Sequence, residues 1–194
     1  MNDFSYCKAW EKEQRFLGAA DEEEVQKAYV KAELIHSLHV DDILDLYSAK
    51  CIENNMDYIP EQATTFILRI KKNCLKRCLK LGELSFGSRS AALLASVLKE
   101  NDHFARLYLE KNQIGDEGAC ALAEMLSFNR SLIHLDVGSN GIGPEGFELL
   151  FVGLLHNFTL VSLDVSSKDG LSRNRLGLKG ASRLGELLRL NPAI

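Results

Sequence analysis

Apolar residues follow two alternating periods between residues 104 and 131 of this chain. Leu107 and Leu109 are separated by one residue, and this period of two predicts a short strand with one buried face. Leu122 and Leu126 are four residues apart, which predicts one buried face of a helix. The pattern therefore predicts a strand, a turn and a helix within 28 residues. Such a unit must pack against copies of itself to bury its apolar side.

Copies of this unit are present on both sides. The central unit is marked by Leu107, Leu109, Asn112, Ile114, Gly115, Gly118, Leu122, Leu126 and Asn129. An interval of 28 gives Leu135, Val137, Asn140, Ile142, Gly143, Gly146, Leu150, Leu154 and Asn157. A third copy has Leu163, Val165, Asn174, Leu176, Gly177, Gly180, Leu184, Leu188 and Asn191, with six extra residues around Lys168, Asp169 and Gly170. A weaker preceding copy has Leu79, Leu81, Leu84, Phe86, Gly87, Ser90, Leu94, Leu98 and Asn101.

Two recurring residue types have a physical role at the turns. Asn112 and its counterparts follow the strand pattern, where an amide side chain can hydrogen-bond the backbone of neighbouring coils. The glycine that comes next suits a backbone with positive φ, or a close approach of two coils. This glycine recurs as Gly115, Gly143 and Gly177.

The order LxxLxLxxNxIGxxG, followed by two leucines and an asparagine, resembles the leucine-rich repeats of the ribonuclease-inhibitor type over residues 75–194. The resemblance implies an α/β fold, a right-handed solenoid with a short parallel sheet inside and helices outside. It implies about four repeats in residues 74–194, the last with the six-residue insertion.

Residues 1–73 carry a helical pattern and are expected to form an all-α N-terminal cap. The first predicted helix has Val25, Tyr29, Ala32 and Ile35 on its apolar side. The second begins near Asp41 and stops near Asn54 and Asn55, with Ile43, Leu44, Tyr47 and Cys51 on its apolar side. The third begins at Pro60, because a proline needs no N–H partner in the first helical turn. These helices can cover the apolar edge of the first coil.

Two features give this cap a candidate docking role. Residues 1–73 hold nine Lys/Arg and 14 Asp/Glu, a net charge of −5, concentrated at residues 21–24 and 41–45. Acidic residues at helix starts interact favourably with the helix dipole, which is one explanation of these two clusters. The alternative explanation is that they form an acidic docking surface. Aromatic residues near the start either pack on the cap or insert into a partner. They are Phe4, Tyr6, Trp10 and Phe16.

Composition narrows the class of partner. The net charge of −4 provides no basic footprint for nucleic acid, and no apolar run reaches membrane-spanning length. Residues 1–14 lack the basic and apolar regions of a signal peptide. The five cysteines form no CxxC pair, which favours reduced thiols. We therefore expect a cytoplasmic protein with no nucleic-acid or membrane partner.

No motif predicts catalysis, a cofactor or a metal site. The chain has no GxxxxGK[ST] loop, and residues 141–146 match GxGxxG only as part of a repeat turn. His36 and His39 lie three apart on a predicted helix, but no further side chain completes a zinc set. Cys74 and Cys78 fit the segment that leads into the first strand. The chain is therefore expected to be non-enzymatic.

The residues that alternate with the buried leucines are expected on the concave face of the sheet, where they form a candidate protein-binding surface. With Cys78, they are Lys80, Arg106, Tyr108, Glu110, His134, Asp136, Ser162 and Asp164. All are expected to face outward, so replacing Asp136 with alanine is expected to change stability by less than about 0.5 kcal/mol.

Three functions are compatible with this surface. The leading one is a protein-binding adaptor or assembly subunit; residues 47–60 are similar to the lead-in of some leucine-rich proteins of cilia and centrosomes, which implies a ciliary or cytoskeletal complex. The second is a GTPase regulator, since Ran GTPase-activating proteins are similar in repeat length, turn asparagine and the IGxxG phrase. This chain departs from them in its long helical cap and lack of an acidic tail. The third is a fragment of an innate sensor or nuclease inhibitor, although the asparagine–cysteine alternation of ribonuclease inhibitors is missing.

The C-terminal end of the array is a second candidate contact. The final residue, Ile194, occupies the place where another repeat would begin, and apolar residues cluster beside it. They are Leu184, Leu187, Leu188 and Leu190. Because a solenoid normally covers its last coil, we expect this end to dock on a partner, to pair with a copy of itself, or to continue into further repeats.

Overall fold

The computed structural model describes residues 38–75, 77–167 and 172–194. Several predicted features lie outside these residues. They are the helix around residues 25–35, the acidic cluster at 21–24, the four N-terminal aromatic residues, His36 and the centre of the insertion at 168–170.

Helices and strands alternate along the described residues. The helices are α1 (Val40–Glu53), α2 (Pro60–Asn73), α3 (Ser88–Leu98), α4 (Gly115–Phe128), α5 (Pro144–Leu154) and α6 (Gly177–Leu190). The strands are β1 (Cys74–Leu75), β2 (Cys78–Lys80), β3 (Arg106–Tyr108), β4 (His134–Asp136) and β5 (Ser162–Asp164). They form one sheet in the order β1-β2-β3-β4-β5, in which β1 is antiparallel to β2 and all other neighbours are parallel.

The register of the parallel strands follows the sequence repeat. Leu79 pairs with Leu107, Leu107 with Leu135, and Leu135 with Leu163. The first three of these leucines are fully buried, and so are the helix residues that face them across the core. Each coil therefore contributes one strand and one helix to a continuous apolar core. The predicted α/β solenoid, with strands on one side and helices on the other, is confirmed.

The helices before the sheet close the first coil, as predicted. Helix α1 begins at Val40 and ends at Glu53, and α2 has Pro60 as its first residue. Their buried residues, among them Ile43 and Ile70, belong to the same core as the leucines of the repeats. The predicted second and third helices are therefore confirmed, and they share one core with the first coil.

Glu53 at the end of α1 binds the start of α3. Its Oε1 accepts the N–H groups of Arg89 (2.6 Å) and Ser90 (3.0 Å), and its Oε2 accepts the N–H of Gly87 (2.9 Å) and the Ser90 hydroxyl. The first N–H groups of a helix have no intrahelical partner, and a carboxylate there also interacts favourably with the helix dipole. Glu53 thereby fixes the N-terminal helices to the first repeat.

The turn asparagines join each coil to the one before it. Asn112 Oδ1 accepts the N–H groups of Leu84 (3.0 Å) and Phe86 (3.1 Å) from the previous coil. Its Nδ2 donates to the carbonyls of Leu81 (2.9 Å) and Leu109 (2.8 Å). One buried side chain thus satisfies four backbone groups at the end of the strands. The predicted role of this asparagine is confirmed.

The asparagines at these turns form one ladder along the solenoid. A second asparagine ladder runs along the opposite turns, where helices lead back to strands. Asn129 Nδ2 donates to the carbonyls of Leu98 (2.7 Å) and Asn101 (3.1 Å) in the previous coil. Asn157 repeats this pattern one coil later, with Leu126 and Asn129 as acceptors. The recurrence at an interval of 28 was visible in the sequence, but its hydrogen-bonding role follows only from the structure.

The turn glycines meet the prediction in two different ways. Gly115 and Gly177 have φ values of +62° and +60°. Gly143 has a φ of −90°, and its counterpart Gly87 has a φ of −101°, so both are extended and directly precede a helix. A Cβ at Gly143 would lie 3.0 Å from the Asp116 carboxylate, so this position requires close approach.

Candidate functional site

The eight predicted surface residues lie in rows across the sheet and just after it. In the first row Arg106, His134 and Ser162 are in register, with Cys78 before them on β2. In the second row, in strand order, are Lys80, Tyr108, Asp136 and Asp164. Glu110 follows the end of β3. We call these eight residues the concave face, and their role in binding stays a prediction.

The centre of the concave face is an ordered polar and aromatic cluster. The ring centroids of Tyr108 and His134 are 4.7 Å apart, and Lys80 Nζ lies 5.9 Å from the Tyr108 centroid. His134 Nδ1 is 2.9 Å from Ser162 Oγ. Both rings are half-buried, so their conformations are largely set before any partner arrives.

Two polar atoms of this face are buried without a hydrogen-bond partner, His134 Nε2 and Glu110 Oε2. The Glu110 carboxylate lies against Gly82, where a Cβ would come within 2.6 Å of Glu110 Cδ. A buried polar atom without a partner costs about 1–3 kcal/mol, and a binding partner that supplies the missing hydrogen bond recovers part of this cost.

Asp136 corrects the expectation that all eight residues are exposed. Only 5% of its surface is accessible, and its Oδ1 accepts the N–H of Gly138 at 2.8 Å. The alternation of strand residues indicates the face correctly, but it does not show that the following turn folds over the side chain. Asp164, the equivalent residue one coil later, is half-buried and accepts the N–H of Ser166 at 2.9 Å.

This correction changes the expected effect of substitution at position 136. We expect Asp136→Ala to lower the free energy of unfolding by about 1–2 kcal/mol, because a buried backbone N–H loses its acceptor. Asp136→Asn retains a carbonyl acceptor and should cost less. Urea denaturation of both variants measures the difference, and a change in Asp136→Ala below about 0.5 kcal/mol would contradict this role.

The concave face has a positive end and a negative end. Lys80 and Arg106 are exposed on β2 and β3, whereas Asp136 and Asp164 are neighbours in register on β4 and β5. Burial raises the pKa of the Cys78 thiol, and the nearby positive charges of Lys80 and Arg106 oppose this shift. Burial also raises the pKa of Cys74, to about 11, so neither thiol is activated as a nucleophile.

Exposed apolar residues border the concave face, and we call them the apolar rim. They were not identified from the sequence pattern. Ile133, Phe158 and Val161 are exposed, with 39%, 60% and 57% of their surface accessible. The Val161 N–H donates to the Ile133 carbonyl at 3.0 Å, which places these two residues side by side on adjacent coils. Both occupy the position directly before the strand, so their interval of 28 residues was the available signal.

The last coil is covered less than the coils before it. Leu163, Val165 and Leu184 are half-buried, and Leu178 is 93% exposed. Within the apolar cluster predicted at this end, Leu187 is fully buried, whereas Leu188 and Leu190 are exposed. Docking or continuation of this end stays a prediction.

The described residues contain no group of three or more His, Cys, Asp or Glu side chains able to hold a metal ion. Within the same ranges, no helix is both long enough and apolar enough to cross a membrane.

Comparisons with known proteins identify the repeat type. A family model described as Leucine Rich repeat matches residues 100–123 and 128–151. These segments contain the strand, turn asparagine and first part of the helix of two successive coils. These two successive coils are therefore similar to the leucine-rich repeat. No curated protein sequence matches the chain.

Among solved structures, the chain is similar to one titled Leiomodin-1 Actin-Binding Site 2 (ABS2). The TM-score is 0.55 and the sequence identity 23%, over 66% of this chain and 72% of that one. This likeness establishes a common leucine-rich repeat fold. The resemblance to the ribonuclease-inhibitor type and to Ran GTPase-activating proteins stays a prediction.

Proposed function

We propose that this leucine-rich repeat chain is a non-enzymatic protein-binding module that recognises its partner through the concave face. The observation that carries this proposal is the ordered cluster of Tyr108, His134 and Lys80 in the middle of the sheet. Aromatic and basic side chains are the residues that most often dominate binding energy at protein interfaces. Their rigid support keeps the entropy cost of binding low.

The rest of the surface supports the same use. Two buried polar atoms on the concave face have no hydrogen-bond partner among the residues that the structure describes, and Ile133 of the apolar rim directly precedes one of them, His134. An interface that combines aromatic residues, apolar contacts and a few directed hydrogen bonds is typical of specific protein recognition. A repeat array also presents this surface on a scaffold of buried leucines, which holds it in one shape.

We place the module in a cytoskeletal complex, with a ciliary or axonemal assembly as the specific case. Two likenesses support this placement. Residues 47–60 are similar to the lead-in of some ciliary and centrosomal proteins, and one solved structure with a similar fold is titled Leiomodin-1 Actin-Binding Site 2 (ABS2). Co-sedimentation of the purified chain with actin filaments and with microtubules tests the placement directly.

Site-specific photo-crosslinking tests the proposed function. A photoreactive phenylalanine analogue replaces Ser162, which is exposed on the concave face, or Ala92, which is exposed on α3. We expect position 162 to crosslink one protein reproducibly in cells that express the native chain, and position 92 to give none. Crosslinks from position 92 alone would place the binding surface on the helices and contradict the proposal.

A regulator of a small GTPase is the alternative that kinetics can exclude. We expect single-turnover GTP hydrolysis by Ran to proceed at its intrinsic rate in the presence of the purified chain. A bona fide activating protein accelerates such hydrolysis by about 10³-fold or more. A stimulation of that size, abolished by Arg106→Ala but not by Arg189→Ala, would replace the adaptor function with a regulatory one.

A further inference from the structure

Positive charge is concentrated at the β2 end of the concave face. Residues 62–82 contain six Lys/Arg and no Asp/Glu. Lys80 presents one of these charges on the face itself. Arg106 adds another from the neighbouring strand, where it lies two residues before Tyr108, the residue that pairs with Lys80. Both side chains are exposed, and among the described residues neither forms an ion pair.

Carboxylates near this end are held by other contacts. Glu83 forms an ion pair with Lys111 at 2.8 Å, which lowers the pKa of Glu83. Glu110 is half-buried against Gly82 and, within the described ranges, forms no ion pair with either cation. Lys80 and Arg106 therefore have no ion-pair partner within the described part of the chain.

The other end of the same face has the opposite sign. Asp136 and Asp164 lie in register on β4 and β5, and each accepts a backbone N–H of its own turn. Neighbouring strands are about 4.8 Å apart, so Lys80 on β2 is separated from Asp136 on β4 by roughly 10 Å, two strand spacings, with Tyr108 between them in the same row. Arg106 on β3 is one strand from β4. The basic side chains therefore lie towards β2 and the two aspartates towards β5.

We propose that the concave face binds an acidic segment of a partner protein, with its carboxylates over Lys80 and Arg106. This inference rests on the proposed function of the face. A guanidinium binds a carboxylate with two parallel N–H donors, and an ammonium adds a compact charge beside it.

A protein segment fits this face better than a nucleic-acid backbone does. A phosphate backbone requires positive charge along its whole path, whereas three of the eight residues of the concave face are acidic and the chain carries a net charge of −4. An acidic peptide needs only a local pair of cations and an aromatic surface next to them. Lys80, Arg106 and Tyr108 provide these.

Fluorescence anisotropy with a labelled oligoglutamate peptide tests the inference on the full chain. We expect saturable binding at low ionic strength that weakens as salt is added. The double variant Lys80→Glu, Arg106→Glu should bind about tenfold or more weakly, since attraction becomes repulsion.

The matched control carries the same change in net charge at a different place. Lys179 and Arg189 are exposed on α6, and the double variant Lys179→Glu, Arg189→Glu should bind within about twofold of the wild type. Equal losses in the two double variants would show a non-specific effect of net charge and overturn the inference. Circular dichroism and urea denaturation establish that each variant is folded.

Two further results separate this inference from the proposed function. If oligoglutamate does not bind but position 162 still crosslinks a partner, the acidic segment is wrong and the concave face stands as the binding surface. If single-stranded DNA binds more tightly than oligoglutamate with the same dependence on Lys80 and Arg106, the site recognises a polyphosphate and the inference is wrong.

Discussion

Replacing Leu135 with alanine is expected to lower the free energy of unfolding by about 2–5 kcal/mol. Leu135 lies on β4, between β3 and β5, pairs with leucines on both of these strands, and has none of its surface accessible. Truncation removes buried methyl groups and leaves a cavity, because the strands above and below fix the spacing of the backbone. Urea denaturation followed by circular dichroism measures the loss.

Ile133 provides the control for this substitution. It precedes Leu135 by two residues and is 39% exposed on the apolar rim. Ile133→Ala should therefore cost less than half as much, because water can fill the space that the side chain vacates. Equal losses at positions 133 and 135 would mean that the strand register described here is wrong.

Asn112→Ala is expected to cost about 3–5 kcal/mol, a large value for a polar residue. The reason is that its side chain satisfies two N–H groups and two carbonyls, with donor–acceptor distances of 2.8 to 3.1 Å, in a buried turn. Alanine removes the Asn112 partner of the Leu84 and Phe86 N–H groups and of the Leu81 carbonyl, and water has little access to them. The Leu109 carbonyl keeps the Nδ2 of Asn140 as a donor at 2.9 Å. Thermal and urea unfolding both report this change.

Two variants define the origin of that effect. Asn112→Asp keeps the acceptor oxygen but loses the Nδ2 donor, so its stability should lie between those of the wild type and the alanine variant. Gln113→Ala changes the exposed neighbour and should stay within about 0.5 kcal/mol of the wild type. An Asn112→Ala variant as stable as Gln113→Ala would show that the asparagine ladder does not hold the coils together.

The sequence predicted the fold because each coil repeats a local pattern. Leu107 and Leu135 mark equivalent strand positions, and a solenoid needs only neighbouring coils to agree, so the 28-residue interval carries the long-range pairing as well. The difference in backbone geometry between the turns of different coils could not be predicted in the same way. Gly143 and Gly87 are extended and precede their helices, whereas Gly115 and Gly177 have positive φ and begin theirs, although all four hold the same position in the repeat.

The sequence predicted which positions share the candidate face, but not how exposed the side chains at these positions are. Strand alternation placed Tyr108, His134 and Asp136 on one face. Burial of Asp136 and the apolar rim depend on how turns from different coils fold over the ends of the strands. The role of Glu53 also escaped prediction, because it joins a helix of the N-terminal region to a repeat more than thirty residues later.

The affinity of the crosslinked partner for two single variants tests the central claim most directly. Tyr108→Ala removes the middle of the concave face, and Val152→Ala removes an exposed residue of α5. If the concave face is the binding surface, isothermal titration calorimetry should give a dissociation constant for Tyr108→Ala that is about tenfold or more above the wild-type value, the effect of losing an interface hot spot. Val152→Ala should bind like the wild type. Unchanged affinity in a folded Tyr108→Ala variant, or a loss confined to Val152→Ala, would contradict the account.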